Sequence, residues 1–338
     1  YTPAHVDKRL YLLAPISILT AALAVFAAVP VGSFLPLPEA WGMGEKVDLV
    51  VASGMDVGLI FIFAMSSIAV YGVVLGGWAS NNKYSFLGGL RSSAQLISYE
   101  LPLGLGILGV VLAAGSLDLE KIMQAQASTG VWYAFAQPLG FVVFVIAVFA
   151  ESARLPFDLP ECEQELIGGY HTEYAGLKLL LFLVAEFLHM ILASFLISIL
   201  FLGGWHLWGI TGDPHSNNIS LVTGILRLIV LSLKICSVIV FFMLVRWSWP
   251  RFRFDQLMSL AWKIMLPLGM VNLVALAVFY ELRHGIEGGD GTGYELLQMI
   301  AAWGVCGAAW FAVAMFNPLV TDNRAQLDLD PSGIDSQL

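Results

Sequence analysis

Three ionisable residues stand inside long apolar stretches of this chain, Glu100, Glu186 and Lys234, and a run of carboxylates lies between two such stretches: Glu151, Asp158, Glu161, Glu163, Glu165 and Glu173. Closely spaced carboxylates in a semi-buried setting repel one another. Some of them then keep a proton near neutral pH and release it when a neighbouring charge changes, which is the chemistry of a proton relay. The bland reading of the run is a solvated loop. Interleaved Leu155, Phe157, Leu159, Leu166, Ile167 and Tyr170 argue instead for a segment packed into protein. If a short helix starts after Pro160, Glu161 and Glu165 share a face and Glu163 points away. His189 follows Glu186 at i+3, so the two side chains lie on one helix face and could share a proton or a water.

An ionisable group at the centre of a membrane helix costs about 2.5–3.5 kcal/mol on insertion scales, so each requires a partner, a wet cavity or a function. Lys178, Arg227 and Lys263 read as long side chains snorkelling to the interface. Glu100, Glu186 and Lys234 lie too deep for that, and the structural alternative for them is a buried ion pair. A further cluster, Arg246-Trp-Ser-Trp-Pro-Arg251-Phe-Arg253-Phe-Asp255-Gln, is either a basic interfacial anchor or a docking surface for an acidic partner or anionic head group. Cys162, Cys236 and Cys306 form no CxxC pair and support neither a disulfide framework nor a metal site.

The elements that must position these groups are membrane helices. Of the 338 residues 58% are hydrophobic and 12% charged, and the mean hydropathy is +0.81; a soluble domain carries about 25% charged residues. Apolar runs of the roughly 20 residues needed to cross the bilayer occur at 10–29, 57–78, 93–114, 135–153, 177–202, 221–245, 257–281 and 296–316. The expectation is an all-α polytopic membrane protein with a single transmembrane domain over 1–316, an acidic loop at 151–176 and a polar tail at 317–338. The formal charge of -9 says little about partners when most of the surface faces lipid. With eight crossings, one face holds Lys8, Arg9, Lys83, Arg91, Arg154, Arg246, Arg251, Arg253 and Arg324, and the other Lys46, Lys121 and Arg283. The positive-inside rule makes the first face, the acidic loop and the C-terminus cytoplasmic.

Several runs together resemble one family. Ala69-Val-Tyr-Gly, Gly77-Trp-Ala-Ser, Lys83-Tyr-Ser, Leu90-Arg-Ser-Ser, Ile97-Ser-Tyr-Glu, Ala153-Arg-Leu-Pro-Phe-Asp-Leu-Pro-Glu, Glu165-Leu-Ile-Gly-Gly-Tyr-His-Thr-Glu-Tyr and Phe252-Arg-Phe-Asp-Gln-Leu occur in order. They are similar to the membrane subunit that builds the quinone cavity of respiratory complex I, NADH-quinone oxidoreductase, in its bacterial form, the counterpart of the mitochondrially encoded first subunit. The resemblance implies a bacterial inner-membrane subunit that binds no redox cofactor itself, takes quinone as substrate, and works with membrane and hydrophilic partner subunits carrying NADH, FMN and iron–sulfur clusters. No nucleic acid is implied.

By the same resemblance Glu151, Glu161, Glu163 and Glu165 belong to an acidic funnel, with Glu100 and Glu186 continuing the proton path, on which Glu173 is also expected. Arg91, Arg154 and Lys234 are counter-charges; Phe157, Asp158, Arg246, Arg251, Arg253 and Asp255 face the quinone chamber or docked subunits. The chain departs from the family at Ser67, where many relatives have Glu, and at Cys162, where a small residue is usual. The family also carries a further helix before the point where this sequence begins, so nine spans are expected in a full-length form. Two other readings stay open at this point, a related energy-converting hydrogenase subunit and a stand-alone cation transporter. Against the second, the sequence holds no detectable inverted repeat.

Overall fold

A computed structural model describes residues 6–32, 49–52, 54–158, 168–208, 211, 221–285 and 292–316, without the side chains of 283–285, 292–297 and 316. Seven helices in it are long and apolar enough to cross a membrane. They are α1 (Lys8–Val25), α2 (Gly58–Ala79), α3 (Lys83–Ala114), α7 (Leu177–Leu200), α8 (Leu221–Ser248), the continuous Phe254–Leu282 stretch and the Gln298–Met315 part of the last helix. Between α3 and α7 come a surface helix α4 (Leu119–Thr129), one turn α5 (Tyr133–Ala136) and the apolar helix α6 (Pro138–Glu151). The Phe254–Leu282 stretch comprises α9 (Phe254–Ser259), a wider π-helical turn at Leu260–Met265, and α10 (Leu266–Gly285); α11 spans Thr292–Phe316. The chain is thus an all-helical polytopic membrane protein, as the hydropathy pattern predicts.

Two boundaries differ from the sequence reading. Hydropathy places the third span at 93–114, but α3 begins ten residues earlier, at Lys83. Asn82 caps it by accepting from the Tyr84 N–H at 3.1 Å, and protein presses closely on its first turns: a Cβ on Gly88 would stand 2.7 Å from the Gly169 backbone. This extension is polar enough to read as loop, yet one face of it, Ser85, Gly88, Gly89 and Ser92, is buried against protein. Hydropathy places the fourth span at 135–153. There the chain breaks at Gln137 (φ −136°, ψ 64°) before Pro138 opens α6, and α6 alone, at 14 residues, reaches only about 21 Å.

α3 is the central post. It packs against α2, α6, α10 and the short turn Gly169–His171. Small residues allow the close approaches, as expected where lipid supplies no hydrophobic drive between helices. A Cβ on Gly106 would lie 3.2 Å from Phe144 of α6, and one on Gly72 of α2 would collide with Ile18 of α1 at 2.2 Å. The main core runs through Tyr99, Leu103, Ile107, Phe144, Ala147, Leu196 and Phe201, all buried. A second core joins Tyr11, Ala14, Ile18, Val73, Tyr170 and Phe182.

Candidate functional site

On the loop side of the bundle α2, α3, α6 and α7 line a cavity that is partly open to the outside. Its polar lining is Ser66 and Ser67 from α2, Ser92 and Glu100 from α3, Glu151 and Ser152 at the end of α6, Tyr170 from the short turn, and Glu186 and His189 from α7. Three carboxylates far apart in sequence therefore face one space. Ile18, Val70, Val73 and Leu96 supply apolar wall.

Each carboxylate has a neutral hydroxyl partner. Ser67 Oγ bonds Glu100 Oε1 and also lies 2.9 Å from the Phe63 carbonyl. A hydroxyl has one proton and two lone pairs. Ser67 can therefore donate to an ionised Glu100, or accept from a protonated Glu100 while donating to Phe63. Both charge states are accommodated without moving the backbone. Ser66 reaches the Glu151 carboxyl, and Glu151 and Glu100 interact electrostatically. Tyr170 Oη donates to Glu186 Oε1 at 3.2 Å, and His171 Nε2 stands 3.7 Å from the same oxygen.

Helical spacing makes His189, one turn along α7, the expected partner of Glu186. His189 does line the cavity, but its Nε2 is buried without a hydrogen-bond partner among the described residues. Glu186 is met instead by Tyr170 and His171 from the turn after the acidic segment. Sequence reasoning notes Ser67 only as a departure from the family and Tyr170 only as an apolar residue of the loop; it gives neither of them, nor Ser66 or His171, a place in the site. The signals are slight: a serine pair in an apolar span, and a Tyr-His step after two glycines, of which Gly169 has φ +57°. Glycine adopts that φ freely, and this lets the turn press against Gly88.

The start of the acidic segment is held firmly. Gln95 of α3 donates to both the Ala150 carbonyl, at 2.8 Å, and the Phe157 carbonyl, at 2.7 Å. Phe157 stacks on Phe252, with centroids 5.4 Å apart, and the Phe252 N–H donates to the Pro156 carbonyl at 3.1 Å. Arg251 Nη2 pairs with Asp158 Oδ2 at 3.0 Å. Tyr99 Oη donates to the Leu257 carbonyl at 2.9 Å. Residues Phe157, Asp158 and Arg251 thus form one contact zone joined to α9. Arg253 and Asp255 lie at its edge, where the Arg253 N–H donates to Gln256 Oε1 at 3.3 Å. Arg246 is a basic residue in the last turn of α8. At the other end of the segment Glu173 accepts from Asn82 Nδ2 at 2.8 Å, and its carbonyl accepts from Tyr11 at 2.6 Å. Glu161, Glu163, Glu165 and Cys162 lie outside the described residues.

The cations expected as counter-charges take different positions. Arg154 lies over the Phe187 ring at 4.2 Å, and its Nε and Nη2 are buried without hydrogen-bond partners among the described residues. Arg91 lies over Phe254 at 5.3 Å. Lys234 meets carbonyls rather than a carboxylate among the described residues. Its Nζ donates to the carbonyls of Leu202, Gly204 and His206 at 2.6, 2.9 and 2.6 Å, in the segment that follows the far end of α7. Arg227, expected to snorkel, is 1% exposed; it stacks on Trp205 at 4.0 Å and donates to the Thr211 carbonyl at 3.1 Å. Among the described residues no group of His, Cys, Asp and Glu is arranged to hold a metal ion.

Comparison with known proteins gives a consistent result. The family model described as NADH dehydrogenase matches residues 1–277. The chain is 43% identical over 284 residues to NADH-quinone oxidoreductase subunit 8 of Rhodothermus marinus, covering 82% of this chain and 78% of that one. It is 44% identical over 273 residues to the first H-type NADH-quinone oxidoreductase subunit of Cytophaga hutchinsonii, covering 80% and 77%. With the second H-type subunit of Syntrophobacter fumaroxidans it shares 45% identity over 272 residues, covering 80% and 75%. A family match that extends from the first residue through α9 and into α10, together with relatives of this identity across four fifths of the sequence, means that the chain belongs to the NADH dehydrogenase family.

Proposed function

We propose that this chain is the membrane subunit through which an NADH-quinone oxidoreductase links quinone reduction to proton translocation. The relatives are named as quinone oxidoreductase subunits, which supplies the enzyme, the quinone and the partner subunits. The observation that carries the coupling role is the cavity in which Glu100, Glu151 and Glu186, from three helices, meet beside the acidic segment. The nine-to-three distribution of Lys and Arg supports placing that segment on the cytoplasmic side of a bacterial inner membrane. NADH, FMN and iron–sulfur clusters belong, in this reading, to partner subunits, and Phe157, Asp158 and the Arg246–Asp255 stretch face the docked subunits or the quinone.

Reduction of quinone to an anionic form, followed by its protonation, changes the charge beside the Glu151–Glu173 segment. Charges on the order of 8 Å apart interact by about 2 kcal/mol at an effective dielectric near 20. That alters proton occupancy of a neighbouring carboxyl by more than tenfold. A change at the segment therefore redistributes protons among Glu151, Glu100 and Glu186. Ser67 and Tyr170 keep either charge state hydrogen-bonded, so a carboxyl gains or loses its proton without leaving a buried group unpaired. Glu161, Glu163 and Glu165 complete the path between the quinone and this cavity.

The test is Glu100→Gln in the assembled complex. The amide preserves the hydrogen bond to Ser67 and removes the titration. Assembly is expected to persist while proton-coupled quinone reduction falls at least tenfold. Normal assembly with full coupled turnover would overturn the proposal.

A further inference from the structure

We propose that His171 and Glu186 form a single proton-holding pair in which one proton moves between the Glu186 carboxyl and the imidazole Nε2; this deepens the coupling role above and rests on it. The geometry is specific. Nε2 stands 3.7 Å from Glu186 Oε1, is buried, and has no hydrogen-bond partner among the described residues. Packing explains the ring itself, which lies 3.8 Å from the Tyr170 ring and 5.5 Å from Phe182. Packing does not explain why the free nitrogen is directed at a carboxylate, since buried polar atoms are normally paired.

Closing the gap by roughly 0.7 Å would bring Nε2 and Oε1 to hydrogen-bonding distance. The transfer then involves one proton and no electrons: the Glu186 O–H bond breaks, the N–H bond forms at Nε2, and a carboxylate–imidazolium pair replaces a neutral pair. Tyr170 Oη already donates to the same carboxyl oxygen at 3.2 Å, so it stabilises the ionised partner. The effect is to carry a proton from α7 onto the turn that continues the acidic segment. Burial holds the His171 imidazole down to about 4, so the ring is neutral at neutral pH, and an imidazolium there requires the Glu186 carboxylate beside it.

The neighbourhood is mostly acidic or neutral. Among the described residues the titratable groups of this neighbourhood include Glu186 and His189 on α7, Tyr170, Glu173 and Tyr174 on the segment of His171 itself, Tyr11 from α1, and the cation Arg154, which lies over Phe187 beside Glu186. Across the cavity lie Glu100 on α3 and Glu151 on α6. α2 presents serines and Gly76 to this space. Glu173 is bound to Asn82, and Lys178, at the start of α7, is placed over the Tyr11 ring at 4.6 Å.

The test is infrared titration of the resting assembled complex with isotope-labelled histidine, comparing wild type with His171→Gln and Glu186→Gln. In the wild type the carboxyl band of Glu186 and an imidazolium band should titrate together; Glu186→Gln should abolish that imidazolium band. His171→Gln should move the Glu186 titration by at least one pH unit and slow proton pumping at least fivefold in complex that assembles. A Glu186 titration unchanged in His171→Gln overturns the pairing. If neither variant assembles, the labelled wild type decides, because separate titration of the two bands also overturns it. No quinone turns over in this measurement, so it is read independently of the Glu100→Gln result.

Discussion

Two buried charged regions lie at opposite ends of α7, and they are built on different terms. At the far end Lys234 directs three protons to three carbonyls and its ammonium sits 4.7 Å from the Trp132 ring, which stacks on Trp208 at 4.6 Å. Arg227 is likewise clamped between Trp205 and the Thr211 carbonyl. At the loop end, Glu100, Glu151 and Glu186 adjoin open space, and their partners are hydroxyls that can donate or accept. A charge whose every bond is fixed by backbone stabilises a structure and cannot change state cheaply. A charge beside space and reversible partners can. Burial alone therefore does not mark a functional ion; the freedom of its neighbours to donate or accept does.

The contrast is broken most directly at Lys234. Lys234→Met leaves three carbonyls without their donor, and stability should fall by about 3–5 kcal/mol, since each buried acceptor left unpaired costs about 1–3 kcal/mol. Assembly yield and thermal inactivation of the complex would register it. Glu100→Gln, by contrast, should leave both within the range of the parent complex. Comparable destabilisation by the two substitutions would dissolve the distinction.

A smaller effect separates the regions by pH. His171 has a folded-state value of about 4 against 6.5 for a free imidazole, so the unfolded chain binds more protons between these limits. Stability from this residue is fully present above about pH 6.5, declines as pH falls toward 4 and is level below that. At about 1.4 kcal/mol per unit the loss is at most about 3.5 kcal/mol. Heat inactivation at pH 7.5 and pH 5 should show a larger acid sensitivity in the parent than in His171→Gln. Equal sensitivity would mean that His171 is not held neutral.

The mildest test concerns the support beneath the cavity. Gly88→Ala would place a methyl 2.7 Å from the Gly169 backbone, and overpacking of this kind costs about 1–3 kcal/mol. It should displace the Tyr170–His171 turn and lower coupled turnover more than assembly. If assembly falls instead with turnover per complex unchanged, the turn does not position the cavity's donors.

Much of the fold is legible in the sequence because a membrane helix announces itself by length and apolarity alone. Reading fails where protein, not lipid, covers a helix. The first turns of α3 carry Lys83, Ser85, Gly88, Gly89 and Arg91 and look like loop until the Gly169–His171 turn is seen to rest on Ser85 and Gly88. The π-helical turn at Leu260–Met265 leaves no mark on hydropathy. Glu100, Glu151 and Glu186 stand out because a carboxylate in or against an apolar run is anomalous. The role of Ser66, Ser67 and Tyr170 as hydroxyl partners does not, because neutral hydroxyls are cheap to bury and the carboxylates they meet come from other elements. Lys234 is anomalous for the same reason as the glutamates, and only its acceptors tell the cases apart.

Gln95 gives the loop end a mechanical property. Its single amide grips the last turn of α6 and the Phe157 carbonyl together, and it sits five residues from Glu100 on the same rigid helix, roughly 7.5 Å along the axis. α3 is therefore a crank with two pins. Any tilt that carries the Glu100 carboxyl toward or away from its neighbours must also pull on the strap at 150–157, and a partner pressing on that strap must in turn rotate Glu100.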